Sequence, residues 1–281
     1  MPIDLVIQAP EIASTEVAAI AAQAGAAGIA ALDGGAQQAF RLLRVQSQAG
    51  IAERCAAAGI DCAFVDAALT RDRVRVVAMD MDSTLITIEC IDEIADMLGI
   101  KPDVAAITAS TMRGEIDFKE SLARRVALLA GLPTDALLRV YEERLRLSPG
   151  AERMLAGFKA AGAKTLLVSG GFTFFTDRLQ ARLGLDETAS NTLEIVDGRL
   201  TGRLLGPIFG GQEKAASLRA MRARYAGDGG IVVAIGDGAN DLPMLKEADV
   251  SIAYHAKPVV RAQATHAVDR CGLDAVLNLF A

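Results

Sequence analysis

The sequence predicts an α/β protein whose core is a doubly wound, mostly parallel sheet, with a helical insert and a small additional module. Three apolar runs have the composition of strands that are buried on both faces: 74–79, 164–168 and 231–235. Polar and glycine residues follow each run directly: DMDST at 80–84, SGG at 169–171 and GDGAND at 236–241. Because open α/β sheets bind ligands at the carboxyl ends of their strands, we expect a ligand crevice where these segments meet.

The N-terminal part, residues 1–72, predicts a separate small α/β module. Short β-like runs at 5–7 and 63–65 alternate with Ala-rich helical stretches at 16–23 and 50–58. The pattern is similar to the βαββαβ order of ACT-type regulatory modules. That resemblance implies a regulatory or dimerising role, and therefore a homodimer as one hypothesis for the assembly.

Residues 89–146 predict a helical cap of about four helices between the first two core strands, punctuated by glycine and proline. An insert at this point would cover the carboxyl ends of the strands as a lid. Within residues 117–130, Arg125 falls in a stripe of apolar side chains. One interpretation is a structural arginine whose stem covers apolar surface. The other is a guanidinium that binds an anion inside a lidded cavity.

Two further segments carry local signals. Residues 193–196 and 199–202 flank Asp197 and Gly198, which is a strong signal for a β-hairpin. Lys214 follows two glycines near a predicted helix start, where a lone lysine is usually a solvated surface charge.

Composition excludes several functional classes. The chain has 281 residues, 52% hydrophobic content and a net charge of −6, which argues against binding to nucleic acid or to an anionic membrane surface. No apolar run is long enough to span a bilayer and no basic leader precedes one, so we expect a cytoplasmic protein. The four cysteines lack CxxC spacing and predict buried free thiols, and the two histidines lie in no catalytic motif.

Asp80 and Asp82 form the most informative pair. Residues i and i+2 of a strand share a face, so both carboxylates would approach one point if the chain stayed extended through Met81. Such residues also terminate strands and cap helices, which is the simpler interpretation of either one alone. With Lys214 and the two other strand ends, they would supply oxygen ligands for Mg²⁺ or Mn²⁺ and donors for a phosphate. This set predicts phosphoryl transfer.

The four segments in this order resemble the motifs of the haloacid dehalogenase-like hydrolase superfamily, and the phosphoserine phosphatase family within it most closely. The resemblance runs from about residue 73 to residue 281. It implies a Rossmann-like core, residues 73–88 and 147–281, with a helical-bundle cap. It also implies Mg²⁺-dependent hydrolysis of O-phospho-L-serine to L-serine and phosphate through an aspartyl-phosphate, the last step of serine biosynthesis.

The resemblance also assigns roles to individual residues. Asp80 would be the nucleophile and Asp82 the general acid and base. The metal ion would be held by the Asp80 carboxylate, the backbone carbonyl of Asp82 and the Asp237 carboxylate. Asp241 would support these ligands from outside the coordination sphere.

Substrate binding would divide between the core and the cap. The residues that would hold the phosphoryl group come from the core: Ser169, Gly170, Lys214 and Asn240. In the cap, Glu89 would face the substrate ammonium, Arg125 its carboxylate, and Met112 would pack on the substrate. Periodicity alone would make Glu89 a solvated acid and Met112 a core residue.

Two alternatives stay open. The first is a phosphatase or phosphotransferase that acts on another small phosphomonoester. The second is a catalytically silent amino-acid sensor, for which loss of Asp80 or Asp82 would have been the signature; both residues are present.

Overall fold

The computed structural model describes residues 2–281, except for the side chain of Met112. The interpretation of Met112 as a substrate contact therefore lies outside the described residues. Within residues 2–281, no helix combines the length and the apolar composition that crossing a membrane requires.

The N-terminal module has the predicted βαββαβ order. Its elements are β1 (Ile3–Ala9), α1 (Ser14–Ala24), β2 (Gly28–Leu32), β3 (Gln38–Leu43), α2 (Ile51–Ala57) and β4 (Asp61–Asp66). The strands form an antiparallel sheet in the order β2-β3-β1-β4. One face of β1 packs Leu5 and Ile7 against the helices of the module, whereas Val6 on the other face joins the apolar core of the remaining chain.

The rest of the chain is built on a seven-stranded sheet, and its predicted fold class is confirmed. Its strands are β5 (Val74–Asp80), β6 (Lys164–Phe172), β7 (Glu187–Val196), β8 (Arg199–Leu205), β9 (Ile231–Gly236), β10 (Val250–Tyr254) and β11 (His266–Val268). They lie in the order β11-β10-β9-β5-β6-β7-β8. All neighbours are parallel except β7 and β8.

Strand β5 is buried on both faces, as its continuous apolar run indicates. Val76 and Ala78 belong to one buried cluster, whereas Val77 and Met79 belong to another. Alternate residues therefore pack on opposite sides of the sheet, which is why the sequence shows no polar alternation here.

The predicted hairpin is also present, with longer strands than expected. Asp197 and Gly198 have φ values of 49° and 72°, and β7 pairs with β8 across them. Two positive φ values in a two-residue loop match the twist of the strands, which explains why the chain places Asp-Gly there.

Helices cover the sheet and form the cap. The cap helices are α3 (Cys90–Met97), α4 (Lys101–Met112), α5 (Phe118–Ala127) and α6 (Asp135–Arg139), the last continuing into a wider turn at Val140–Arg144. The others are α7 (Ala151–Ala160), α8 (Thr173–Leu183), α9 (Gly211–Tyr225), α10 (Leu242–Leu245) and α11 (Pro258–Arg261), with short 3₁₀ turns at Arg71–Arg73, Ala239–Asp241 and Leu273–Leu279. Asp117 caps α5 by accepting a hydrogen bond from the amide of Glu120 at 2.8 Å, which defines the start of the helix that carries Arg125.

A polar interface joins the N-terminal module to the body of the chain that is built on the seven-stranded sheet. The Asp61 carboxylate accepts the backbone amides of Asp269, Arg270 and Cys271 at 3.0, 2.9 and 3.1 Å. Asn278 donates through Nδ2 to Gln8 Oε1 at 2.9 Å, and both residues are buried. Buried polar groups with partners fix the relative placement of two surfaces, so the module is packed on the body rather than tethered to it.

Candidate active site

The turn after β5 brings Asp80 and Asp82 to one cavity, although not in the predicted way. Strand β5 ends at Asp80, and the segment Met81–Leu85 turns away with Asp82 at φ −66°, ψ 134° and Ser83 at φ 56°. Both aspartates line the same cavity. The expectation that strand alternation would aim both carboxylates the same way is therefore wrong, because the tight turn, not an extended chain, returns Asp82 to the site.

Lys214 lies in a fully buried cluster of charges. Its ammonium is 2.6 Å from Asp80 Oδ1 and 2.7 Å from Asp241 Oδ1, and its side chain has no exposed surface. The interpretation of this lysine as a solvated surface charge is wrong. Burial opposes the charged ammonium, but the Asp241 and Asp80 carboxylates outweigh that effect and raise the pKa of Lys214. Burial and the neighbouring Asp241 likewise raise the pKa of Asp80, against the attraction of Lys214.

Three carboxylates at the ends of β5 and β9 offer a site for a hard cation. One oxygen from each of Asp80, Asp237 and Asp241 lies within 4.8 Å of the other two. Both carboxylate oxygens of Asp241 already have partners within the protein. Its Oδ1 accepts a hydrogen bond from Lys214, and its Oδ2 accepts the amides of Asp237 and Gly238 at 3.2 and 3.0 Å. Among the described residues, Asp80 Oδ2 and Asp237 Oδ2 accept no hydrogen bond. This donor set fits Mg²⁺, which prefers oxygen ligands, and it leaves Asp241 to hold the others in place.

Electrostatics favour a cation at the same place. Burial and the Asp241 carboxylate raise the pKa of Asp237 to about 6, and Thr84 Oγ1 donates to Asp237 Oδ1 at 3.2 Å. A divalent cation stabilises the ionised form of acidic groups whose pKa is raised by a neighbouring carboxylate, as are Asp80 and Asp237 here.

Asp82 is held where it can exchange a proton. Its Oδ1 accepts the amide of Cys90, the first residue of α3, at 2.8 Å, and Ser169 Oγ donates to its Oδ2 at 3.2 Å. Burial raises the pKa of Asp82, although these two hydrogen bonds oppose the shift. A carboxyl group with a raised pKa is suited to act as an acid near neutral pH.

Two glycines of the SGG segment lie too close to their neighbours to carry a side chain. A Cβ atom on Gly171 would lie 2.9 Å from Asp82 Oδ2 and 3.0 Å from Ser169 Oγ. A Cβ on Gly170 would lie 2.9 Å from the ring of Phe118 on α5. The glycines therefore let the backbone of β6 approach both Asp82 and the cap.

A cavity of about 740 Å³ lies between the sheet and the cap. We call the core residues that line it the cavity floor: Asp80, Asp82, Gly170, Gly171, Asp237 and Asn240. We call the cap residues that face them the cap wall: Glu89, Asp92, Phe118, Ser121 and Arg125. Lys214 and Ser169 lie beneath the floor, in contact with Asp80 and Asp82 respectively.

Glu89 and Arg125 both belong to the cap wall. Ser83 Oγ donates to Glu89 Oε1 at 2.7 Å, and water reaches Glu89 through the cavity. Partial desolvation in the cavity, together with the neighbouring Asp82, raises the pKa of Glu89 to about 7. Periodicity alone made Glu89 a solvated acid, and its side chain is exposed; what periodicity missed is that this exposed side chain lines the cavity.

The guanidinium of Arg125 makes one long hydrogen bond within the protein. Arg125 Nε donates to the carbonyl of Ser121 at 3.4 Å, and among the described residues no carboxylate lies within ion-pair distance. Burial lowers the pKa of Arg125, against the attraction of Asp92 and Glu89. A half-buried cation without a close partner is suited to bind an anionic group of a ligand.

Sequence reasoning missed three residues at this site. Asp92 lines the cap wall one helical turn from Glu89, and Lys257 lines the opposite rim, where its amide donates to the carbonyl of Asp237 at 3.1 Å. Asn191 is buried in β7 behind the floor. The predicted hairpin strand begins at residue 193, so no signal in the sequence indicated that Asn191 lies inside β7.

The fold and site define a class of protein. The family described as haloacid dehalogenase-like hydrolase matches residues 77–246, and the chain belongs to that family. The chain is therefore related to enzymes that catalyse hydrolysis.

Within this family the chain is similar to phosphoserine phosphatases. It is 56% identical to the phosphoserine phosphatase of Polaromonas sp. strain JS666 over 214 residues, which cover 73% of this chain and 89% of the relative. It is 52% identical to that of Albidiferax ferrireducens over 211 residues, 73% of this chain and 89% of the relative.

Solved structures show the same likeness. A probable phosphoserine phosphatase from Vibrio cholerae superimposes with a TM-score of 0.84 at 36% identity, covering 98% of this chain and 85% of its own. A substrate-bound phosphoserine phosphatase has a TM-score of 0.68 at 33% identity and covers 74% of this chain and 99% of its own. A haloacid dehalogenase family hydrolase from Salmonella enterica serovar Typhi has a TM-score of 0.87 at 33% identity over 100% of this chain and 99% of its own.

Proposed function

We propose that this protein hydrolyses O-phospho-L-serine to L-serine and phosphate. The observation that carries the proposal is a single cavity in which the floor and the cap wall have different chemistry. Its floor has the carboxylates and donors that phosphoryl transfer requires, and its cap wall has Glu89 and Arg125, an acid and a base. A small zwitterion that carries a phosphate would place its ammonium against Glu89 and its carboxylate against Arg125, with its phosphate at the floor. The similarity to phosphoserine phosphatases supports the same substrate.

The proposed nucleophile is Asp80. Lys214 and the amide of Met81 hold its Oδ1 at 2.6 and 2.7 Å, which fixes the carboxylate plane without engaging Oδ2. An oxygen of Asp80 would attack phosphorus, and the phosphorus–oxygen bond to the seryl group would break. The phosphoryl group would then be carried as an aspartyl-phosphate on Asp80.

Asp82 would move the proton in both halves of the reaction. Its raised pKa favours the carboxyl form, which would protonate the departing seryl oxygen. The resulting carboxylate would then take a proton from the water that attacks phosphorus. That step would release inorganic phosphate, regenerate Asp80 and return Asp82 to its starting form.

Residues of the floor and residues directly beneath it would bind the phosphoryl group that is transferred. Ser169, the amide of Gly170, Lys214 and Asn240 are the proposed phosphoryl contacts. Mg²⁺, with Mn²⁺ as an alternative, would be held by Asp80, Asp237 and the carbonyl of Asp82, and it would neutralise charge on the phosphoryl oxygens. Lys214 lies against Asp80, which supports its placement beside the oxygens that gain negative charge.

The cap wall would select the amino acid. Arg125 is proposed to bind the substrate carboxylate through charge-assisted hydrogen bonds, and Glu89 to bind the ammonium. The adjacent acid Asp92 adds negative potential on the ammonium side. Met112 is proposed to pack on the substrate.

The proposal extends to the setting of the enzyme. We place it in the cytoplasm, at the last step of serine biosynthesis, and the four free cysteines support a reducing compartment. The N-terminal module, residues 1–72, is proposed to regulate or dimerise the enzyme. Its ferredoxin-like sheet order and its fixed packing on the catalytic body support a role beyond that of a linker.

Phosphate release tests the proposal. The purified protein would be assayed on L-phosphoserine, L-phosphothreonine and p-nitrophenyl phosphate, with Mg²⁺ and then with EDTA. We expect metal-dependent turnover with a strong preference for phosphoserine. Turnover of p-nitrophenyl phosphate without that preference would point to another small phosphomonoester and refute the substrate. If the protein released phosphate from none of the three compounds, the catalytically silent amino-acid sensor would be favoured.

A further inference from the structure

The side chain of Asn191 is buried behind the cavity floor with all of its polar atoms engaged. The residue is 3% exposed. Its Nδ2 donates to the carbonyls of Gly170 and Phe209 at 2.9 and 3.0 Å, and its Oδ1 accepts the amide of Phe209 at 2.7 Å. Both donor hydrogens and the acceptor are used, so the orientation of the amide is determined by its neighbours.

The first of these partners lies in an irregular part of β6. Val168 pairs with Ala189, and Phe172 pairs with Asn191, so four residue steps on β6 match two on β7. The surplus residues, Ser169 to Gly171, form a bulge in which ladder hydrogen bonds to β7 are missing. Asn191 replaces one of them by donating to the carbonyl of Gly170. A buried carbonyl without such a partner would be destabilising.

This hydrogen bond also sets the direction of the next peptide group. In a trans peptide the carbonyl of Gly170 and the N–H of Gly171 point in opposite directions. Because the carbonyl is fixed on Asn191, the N–H points the other way, where it donates to Ser169 Oγ at 2.8 Å. Ser169 Oγ in turn donates to Asp82 Oδ2 at 3.2 Å. A continuous chain of contacts thus leads from Asn191 to the proposed catalytic acid.

The second partner leads toward Lys214. Phe209 directly precedes Gly210 and the start of α9 at Gly211, the helix that carries Lys214. By holding Phe209 through both its N–H and its carbonyl, Asn191 joins this segment to the bulge of β6. The two backbone segments that are proposed to hold the phosphoryl group are therefore tied together by one side chain.

We propose that Asn191 is a positioning residue for phosphoryl transfer. It fixes the Gly170–Gly171 peptide against Ser169 and Asp82, and it fixes the approach of the helix that carries Lys214. This inference rests on the proposed phosphoryl-transfer chemistry, but not on the identity of the substrate. The hydrogen bonds of Asn191 reach Gly170 and Phe209 and no residue of the cap wall, so its effect belongs to the reaction rather than to the recognition of the amino acid.

The test compares Asn191→Ala and Asn191→Asp with Asn278→Ala. Asn191→Asp keeps the size and the acceptor for the Phe209 amide and loses the donations to the carbonyls of Gly170 and Phe209. Asn278 is a matched control, because it is also a buried asparagine, bonded to Gln8 at the module interface. For each variant, kcat and KM would be measured on phosphoserine and on p-nitrophenyl phosphate, at a temperature at which thermal unfolding shows the protein to be folded.

We expect both Asn191 variants to lose kcat by about 10- to 100-fold on both substrates, with KM changed by less than about threefold. Asn278→Ala would keep both kinetic constants while losing thermal stability. Unchanged kcat in a folded Asn191 variant, or a loss confined to phosphoserine, would overturn the inference. If the wild-type protein used p-nitrophenyl phosphate but not phosphoserine, the proposed substrate would fail and the comparison of variants on p-nitrophenyl phosphate would still decide the role of Asn191.

Discussion

The cavity floor and the cap wall differ in how far their polar groups satisfy one another. On and directly beneath the floor, Asp241 uses both carboxylate oxygens within the protein, and Asp82 and Lys214 each contact two partners. On the cap wall, Arg125 makes one long hydrogen bond to its own helix. The floor is prearranged before a ligand arrives, whereas Arg125 on the cap wall depends on the ligand for a charged partner.

This difference separates two tasks. Groups that stabilise a transition state act best when they are already oriented, because no reorganisation is then needed during the reaction. Groups that recognise a substrate gain selectivity when they are left unpaired by the wrong ligand. The floor therefore suits chemistry common to phosphomonoesters, and the cap wall suits the choice of the amino acid.

The largest effect is expected on the floor, from Asp80→Asn. Loss of the nucleophile should lower kcat by at least about 10³-fold on phosphoserine and p-nitrophenyl phosphate alike. Steady-state phosphate release measures this. Asp4→Asn is a control: it removes another buried acid, which pairs with Arg41 at the module interface, and should lower stability without lowering kcat. Substantial turnover by Asp80→Asn would refute the nucleophile assignment.

Asp82→Asn should distinguish proton transfer from binding. We expect a loss of about 10²–10⁴-fold on phosphoserine, whose alkoxide leaving group needs a proton. The first half-reaction of p-nitrophenyl phosphate, measured as the burst of nitrophenolate, should be affected far less because nitrophenolate leaves without protonation. Equal losses in both measurements would mean that Asp82 serves mainly to bind.

The cap wall should respond to pH through Glu89. Its pKa of about 7 is above the ordinary value, so its carboxylate is present above pH 7 and is lost as the pH falls below it. The ratio of kcat/KM for phosphoserine to that for p-nitrophenyl phosphate should fall toward low pH, by up to about tenfold per pH unit. The acid form of Asp82, which only phosphoserine needs, titrates in the opposite sense, because its loss lowers the ratio as the pH rises. In Glu89→Gln the ratio should be low and should no longer fall toward low pH; a ratio that still fell below pH 7 would exclude Glu89 as the cause.

The module interface should affect stability alone. Asp61→Ala removes the acceptor of three backbone amides and should lower the free energy of unfolding by about 1–3 kcal/mol. Chemical denaturation measures this loss, and turnover of p-nitrophenyl phosphate should be unchanged. Asp66→Ala, an aspartate at the end of the same strand with one exposed hydrogen bond, should be nearly neutral. A drop in kcat for Asp61→Ala would show that the module influences the cavity floor.

The sequence predicted the elements whose signals are local. Apolar runs located β5, β6 and β9, because strands buried on both faces need no alternation, and Asp197-Gly198 located the hairpin. In the N-terminal module, β2 and β3 were not located individually, since Ala-rich sequence such as Gly28–Leu32 shows little contrast between buried and exposed positions.

The site was predictable only where motif residues carry the chemistry themselves. Asp80 and Asp237 lie at strand ends and Lys214 lies in the first turn of α9, and the resemblance to the family motifs named all three in advance. The pairing register of β6 and β7 shifts between Val168 and Phe172. This shift produces the bulge at Ser169 to Gly171 and its hydrogen bond to Asn191. Such long-range pairing leaves no periodic signal in the sequence, which is why Asn191 was missed.

The central claim, that the floor performs the chemistry and the cap wall chooses the amino acid, is tested most directly by Arg125→Ala. The measurement is kcat/KM for phosphoserine and for p-nitrophenyl phosphate on one preparation with Mg²⁺. Loss of charge-assisted hydrogen bonds of about 1.5–3 kcal/mol predicts a fall of roughly 10- to 150-fold for phosphoserine. For p-nitrophenyl phosphate, which has no carboxylate, we expect a change of less than about threefold. Equal losses on the two substrates would contradict the division of labour between floor and cap.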